Sequence, residues 1–141
     1  MKAIRLLTLS LGCAALVGCM HTVIGGNPVR SPDQRYRLGV EIHGASAKAY
    51  TALTKKRVYL WLGTNADSNR VAYVDKKYVF TAADLEWRVD WHGSDEVAVH
   101  FFDYGDGVYS GDARKAATPS NHVATLTFQW DAQMSKFVER K

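Results

Sequence analysis

The chain has 141 residues, of which 47% are hydrophobic and 23% charged, which fits one globular domain and excludes a chain disordered throughout. Its net charge is +4, but two of the 18 basic residues, Lys2 and Arg5, lie among residues 1–18, which contain no acid. The remaining 16 basic and 14 acidic residues leave a charge of only +2, and the longest basic run covers residues 55–57. We therefore expect no nucleic acid partner.

The first 19 residues have the layout of a secretion signal. Lys2 and Arg5 precede an apolar stretch that is too short to cross a bilayer as a helix. The sequence LVGC at residues 16–19 resembles the lipobox of bacterial lipoproteins. This resemblance implies cleavage after Gly18, a diacylglyceryl group on the Cys19 sulfur and acylation of the new amine. Such double acylation gives stable membrane anchoring, whereas one acyl chain binds only marginally.

The other cysteine, Cys13, fits the lipobox pattern poorly. It lies eight residues after Arg5, and Ser10 stands where the pattern has Leu. We expect Cys13 to leave with the signal peptide, so that the mature chain has no internal disulfide. Met20 occupies the position where Asp resembles an inner-membrane retention signal of enteric-type bacteria. The resemblance therefore implies a location in the bacterial envelope, at the periplasmic face of the outer membrane.

Three segments follow from these signals. Residues 1–18 are predicted to be a cleaved signal peptide. Residues 19–34 are predicted to hold the lipidated cysteine and a flexible tether, because they contain two adjacent Gly, two Pro and no sustained periodicity. Within them, SPDQRY at residues 31–36 is typical of a turn. Residues 35–141 are predicted to form one β domain.

The predicted strands, in chain order, follow from alternation of apolar and polar residues. Residues 36–43 alternate, and residues 57–63 are apolar on both faces, as in a central strand that is covered on both sides. Residues 70–74 and 77–80 are predicted to pair around Asp75 and Lys76. Residues 85–104 alternate on both sides of GSDE, which predicts a β-hairpin. After a loop at 105–121, residues 123–130 and 136–139 form another pair. About eight strands with frequent turns favour an all-β fold, an antiparallel β-sandwich or small barrel.

The loop after the predicted hairpin carries a possible calcium site. Asp103, Asp106 and Asp112 are interspersed with three Gly, and Ca²⁺ prefers carboxylate and carbonyl oxygens on a flexible loop. The spacing departs from the EF-hand pattern, because Gly stands at its third and fifth positions and no Glu follows. The alternative interpretation is a Gly-rich turn at a strand end.

Aromatic side chains suggest a binding surface. Tyr59 and Trp61 share one face of the predicted central strand, and Tyr104 and Tyr109 lie just before and within the Gly-rich loop. Trp and Tyr are enriched at recognition surfaces, although small domains also bury many of them in the core. The predicted hairpin also brings His92 and His100 near Asp90, where a His–Asp pair could serve as a general base.

Two common functional motifs are missing from the sequence: it contains neither the Gly-x-Ser-x-Gly elbow of a serine nucleophile nor the Gly-x-Gly-x-x-Gly turn of a nucleotide-binding fold. The leading interpretation is a lipid-anchored, non-catalytic binding or accessory protein without a cofactor. Its partner would be an envelope protein, a toxin or peptidoglycan. One alternative is a calcium-binding envelope protein. Another is a small lipoprotein that resembles lysozyme inhibitors, although such domains usually carry a disulfide.

Overall fold

The computed structural model describes residues 21–45, 53–65, 71–104 and 121–141. Within these ranges the chain forms nine β-strands. Their bounds are β1 His21–Gly25, β2 Val29–Arg30, β3 Tyr36–Ala45, β4 Thr54–Thr64, β5 Ala72–Ala82, β6 Leu85–His92, β7 Glu96–Asp103, β8 His122–Asp131 and β9 Lys136–Arg140.

The strands form two antiparallel sheets. The first has the order β1-β3-β4-β5, with β2 also paired to β3, and the second has the order β6-β7-β8-β9. Only Ala83 and Asp84 connect the two sheets between β5 and β6. Backbone N–H groups of both residues donate to the Asp103 carboxylate, at 3.1 and 2.9 Å, so this side chain fixes the corner. The predicted all-β antiparallel sandwich is confirmed.

The core lies between the two sheets and follows the two-residue period of the strands. Inward residues of β4 (Val58, Leu60 and Leu62) are at most 1% exposed, which confirms that residues 57–63 lie in a central strand. From the second sheet, Phe101 and Phe128 are fully buried. These side chains join the apolar faces of the two sheets into one hydrophobic cluster.

The hairpin predicted for residues 85–104 is confirmed. β6 and β7 pair from Leu85 opposite Asp103 to His92 opposite Glu96. Val97 and Val99 are fully buried, as the alternation predicts, and the turn takes a positive φ at Gly93. The predicted pair near the chain end is also formed, because β8 pairs with β9 around the turn at residues 132–135.

The predicted pairing of residues 70–74 with 77–80 is wrong, because β5 is one continuous strand. The polar residues that suggested a turn lie on an edge strand. Lys76 lies opposite Leu60, and its Nζ is 2.5 Å from a Glu139 carboxylate oxygen of β9. The Tyr78 hydroxyl donates to the same oxygen at 3.0 Å. Burial would raise the pKa of Glu139, but these two hydrogen bonds and the positive charges of Lys76 and Lys141 together outweigh it and lower that pKa below its ordinary value.

The segment predicted as a tether also differs, because residues 21–25 and 29–30 form β1 and β2 along one edge of β3. Strand pairing uses backbone groups, so it tolerates a composition that lacks a clear period. The two pairings are interrupted at residues 26–28, where Pro28 lacks the N–H that a ladder needs. The predicted turn at residues 31–36 is present: the Ser31 and Tyr36 backbones are hydrogen bonded, and the Asp33 carboxylate accepts the Arg35 N–H.

Candidate ligand-binding groove

The outer face of the first sheet carries two aromatic side chains on its central strand. Tyr59 and Trp61 alternate with the buried Val58 and Leu60, so they point away from the second sheet. Both side chains are half-buried. The outer face of a two-layer sandwich is normally polar, so neighbouring aromatic rings there favour a recognition surface. The sequence predicted that these two residues share one face of a strand covered on both sides, but the second sheet packs on the opposite face, against Val58 and Leu60.

The contacts of the two rings show that they lean in opposite directions along β4. The Trp61 ring lies toward Gly63, where an added Cβ atom would be 2.9 Å from it, and the Arg37 guanidinium lies 5.3 Å from its centroid. The Tyr59 ring instead contacts the His43 ring, with centroids 4.6 Å apart and planes at 63°. Among the residues that the structure describes, none of these contacts fills the space above the sheet between the two rings.

This space is a groove of about 350 Å³. Its floor includes Gly39 of β3, which lies directly opposite Trp61 of β4. Because glycine has no side chain, nothing projects from the floor at this position. One wall is formed by Gly26 and Pro28, at the interruption between β1 and β2. This volume falls within the range of about 300–1,000 Å³ that is common for small-molecule sites.

Charged residues of both signs surround the groove. The carboxylates of Glu41 and Asp75 line it from β3 and β5, on either side of the central strand. The Lys77 ammonium lies 5.4 Å from the Tyr59 ring centroid, and the Arg37 guanidinium lies at a similar distance from the Trp61 ring. Both distances are within the range of cation–π attraction. Sequence reasoning missed these residues and Gly39. Their outward positions follow the strand alternation, but only the register of three strands brings them together.

Of the other two predicted members of the aromatic surface, Tyr104 does not join this groove. Tyr104 follows β7 of the second sheet, and its ring centroid lies 6.4 Å from that of Phe102. Tyr109 lies outside the described residues. The structure thus brings together two of the four predicted surface residues, Tyr59 and Trp61, and places Tyr104 on the other sheet.

Asp103 of the proposed calcium loop is engaged in the corner between the sheets, where its two carboxylate oxygens accept backbone N–H groups. Asp106 and Asp112 lie outside the described residues. Among the residues that the structure describes, no three His, Cys, Asp or Glu side chains are placed to hold a metal ion. The calcium site stays a prediction. It requires the Asp103 carboxylate both to accept the backbone N–H groups at the corner and to bind Ca²⁺.

A second polar cluster lies on the outer face of the second sheet. His100 Nε2 is 3.2 Å from an Asp90 carboxylate oxygen, and His100 Nδ1 is 2.9 Å from the Thr125 hydroxyl. That hydroxyl is also 2.8 Å from His122 Nε2. The predicted proximity of His100 and Asp90 is confirmed. His92 lies opposite Glu96 instead, at the turn end of the hairpin, and is not part of these contacts.

One proton arrangement satisfies all three contacts of this cluster. With neutral His100, its Nε2–H donates to Asp90, the Thr125 hydroxyl donates to Nδ1, and His122 Nε2–H donates to that hydroxyl. Burial lowers the pKa of His100, and this effect exceeds the opposing attraction of Asp90. Because of this lower pKa, the unfolded chain binds more protons at His100 than the folded chain once the pH drops below about 6.5. The contribution of His100 to stability therefore falls in that range.

Replacing Asp90 with asparagine is expected to lower the pKa of His100 further, because the negative charge that favours the imidazolium is lost. NMR titration of the histidine Cε1–H signals measures this pKa directly. Asp75→Asn, on the other sheet, serves as the control and should leave the His100 titration unchanged. A His100 pKa that is unaltered in Asp90→Asn would contradict the contact.

Cys19 and its lipobox lie outside the described residues. Within the part of the chain that the structure covers, no helix has the length and apolarity needed to cross a membrane.

Comparison with known proteins yields no relative. No protein-family model matches the chain, and searches of curated proteins and of solved structures give no significant match.

Proposed function

We propose that the chain is a lipid-anchored binding protein of the bacterial envelope, which holds its ligand in the groove beside Tyr59 and Trp61 without changing it chemically. The observation that carries this proposal is the pair of outward aromatic rings that lean apart over a glycine floor. The aromatic rings and the glycine floor stand on paired strands of one sheet, and sites built on strands hold a ligand in a more defined orientation than sites on loops.

The proposed location rests on the lipobox resemblance at residues 16–19. A Cys19→Ala variant of the full chain is expected to fold, yet to lose palmitate labelling and to leave the membrane fraction. Labelling and fractionation should be measured in the same cells, with Cys13→Ala as the matched control that keeps both properties. A Cys19→Ala protein that stays in the membrane fraction would contradict lipid anchoring at this residue.

The binding role is tested with the tagged full chain. In one assay it captures partners from detergent-solubilised membranes. In a second assay it is mixed with purified peptidoglycan, and its co-sedimentation is measured. We expect one of these two targets to be retained by the wild type and lost by Tyr59→Ala/Trp61→Ala. The matched control is Val79→Ala, because Val79 is 54% exposed and lies outside the residues that line the groove. Circular dichroism melting verifies that each variant is folded.

Two results would overturn this proposal. The first is retention of neither target by the wild type, or retention that is equal in the wild type and the double variant. The second is release of reducing sugar from peptidoglycan by the wild-type protein, because that would show catalysis. The carboxylates of Glu41 and Asp75 flank the groove, and a pair of carboxylates is the usual apparatus of glycoside hydrolysis, so this measurement belongs in the experiment.

A further inference from the structure

We infer that the ligand of the groove is an uncharged glycan, whose sugar rings lie between Tyr59 and Trp61 above Gly39. This inference rests on the proposed function and names the class of ligand. It follows from the shape of the groove, the chemistry of its lining and the balance of its charges.

The shape suits flat, ring-shaped groups. Tyr59 and Trp61 are two residues apart on one strand, so their Cα atoms are separated by about 6.8 Å. Their rings lean apart, and Gly39 adds no side chain to the floor between them. Of the atoms in the described ranges, a Cβ atom added at Gly39 would meet only Pro28, at 3.9 Å, so these ranges leave the space above this glycine open. A sugar ring placed there contacts aromatic carbon on both sides.

The lining combines apolar and hydrogen-bonding groups in the way that a sugar requires. One face of a pyranose ring presents C–H groups, which pack on aromatic rings, while its hydroxyls point outward around the edge. In the groove, Glu41 and Asp75 stand on the strands flanking the aromatic pair and offer carboxylate oxygens as acceptors. Hydrogen bonds from hydroxyls to carboxylates are stronger than those between neutral groups.

The charges around the groove balance. Two acidic residues, Glu41 and Asp75, line the groove, and two cations, Arg37 and Lys77, lie over the aromatic rings that border it. Glu41 is also 3.2 Å from His43. A ligand with a net charge of either sign would be attracted by one pair and repelled by the other. A neutral, hydroxyl-rich ligand can use both pairs as hydrogen-bonding partners without that penalty.

A series of tetrasaccharides with the same ring skeleton tests this inference by isothermal titration calorimetry on the full-length protein in detergent. The probes are the neutral N-acetylglucosamine tetramer and the cationic glucosamine tetramer, which differ only in acetylation. We expect saturable binding of the neutral tetramer, and binding of the charged tetramer that is at least tenfold weaker at pH 6, where its amines carry charge.

Two variants locate the binding site. Gly39→Val fills the floor of the groove, and the open space around Gly39 together with the strand preference of valine predicts that the fold is kept. Trp61→Ala removes one stacking surface. Both should weaken binding of the neutral tetramer at least tenfold, while Val79→Ala should bind like the wild type. Melting curves show whether Gly39→Val remains folded; if it does not, Trp61→Ala alone decides the location.

The outcomes separate this inference from the proposed function. Absence of binding by the neutral tetramer, or tighter binding of the glucosamine tetramer, overturns the inference. If Tyr59→Ala/Trp61→Ala still abolishes capture of an envelope protein, the proposed function stands and only the ligand class is wrong. If Tyr59→Ala/Trp61→Ala changes neither the capture of an envelope protein, nor sedimentation with peptidoglycan, nor binding of the tetramer, both proposals fail.

Discussion

Replacing Phe101 with alanine is expected to lower the free energy of unfolding by about 3–5 kcal/mol, which is a large share of the roughly 5–15 kcal/mol that holds a typical domain folded. Phe101 is fully buried on β7 of the second sheet, and its ring centroid lies 5.0 Å from that of Phe80 on the first sheet. Its removal therefore leaves a cavity between the sheets. Both cysteines precede residue 21, so no disulfide within the described residues adds to the stability from which this loss is subtracted.

Urea denaturation followed by tryptophan fluorescence measures this change. The control is Val79→Ala, which removes carbon from an exposed side chain and should change stability by less than about 0.5 kcal/mol. A loss below about 1 kcal/mol in Phe101→Ala would mean that the two sheets do not pack together at this position.

The second large effect is expected at Gly63, on the central strand beside the groove. A Cβ atom there would overlap the Val71 carbonyl oxygen, which accepts the Thr64 backbone N–H at 3.0 Å. Because the obstacle is backbone at an irregularity in the β4–β5 register, it cannot move without breaking this hydrogen bond. Gly63→Ala should therefore destabilise the fold by about 2–4 kcal/mol.

The same substitution should also disturb the groove, since the added methyl group would contact the Trp61 ring. Gly39→Ala is the matched control: it adds the same methyl group on the neighbouring strand, where the nearest atom of the described part of the chain is 3.9 Å away, and should be nearly neutral. Thermal melting compares the two variants. Equal melting temperatures for Gly63→Ala and Gly39→Ala would contradict the close approach of β4 and β5 at this bulge.

Much of the fold could be predicted from the two-residue period, because burial on one side of a strand constrains every second residue. Val97, Val99 and Phe101 show this most clearly, since all three are fully buried on the inner face of the predicted hairpin. The prediction failed where burial does not govern the sequence. Lys76 interrupts the apolar pattern of the β5 sequence and therefore suggested a turn. Because β5 is an edge strand, its side chain can instead reach Glu139 of the opposite sheet.

The aromatic half of the groove could be predicted, but the rest could not. Tyr59 and Trp61 share a face of one strand, and alternation alone establishes this. Gly39 and Asp75 lie on two other strands, and each becomes a neighbour of Trp61 only through the cross-strand register. Register depends on side-chain packing and turn geometry over the whole sheet, so local sequence does not reveal it.

The contact between Lys76 and Glu139 has a consequence for how the chain reaches its folded state. Most strand pairs, such as β6–β7 and β8–β9, join segments that are adjacent in sequence, and these hairpins can form by short-range loop closure. Lys76 and Glu139 are 63 residues apart, so their meeting requires a much larger loss of chain entropy. We therefore expect this link to form after the main barrier to folding, where it slows the opening of the sandwich more than it speeds its assembly.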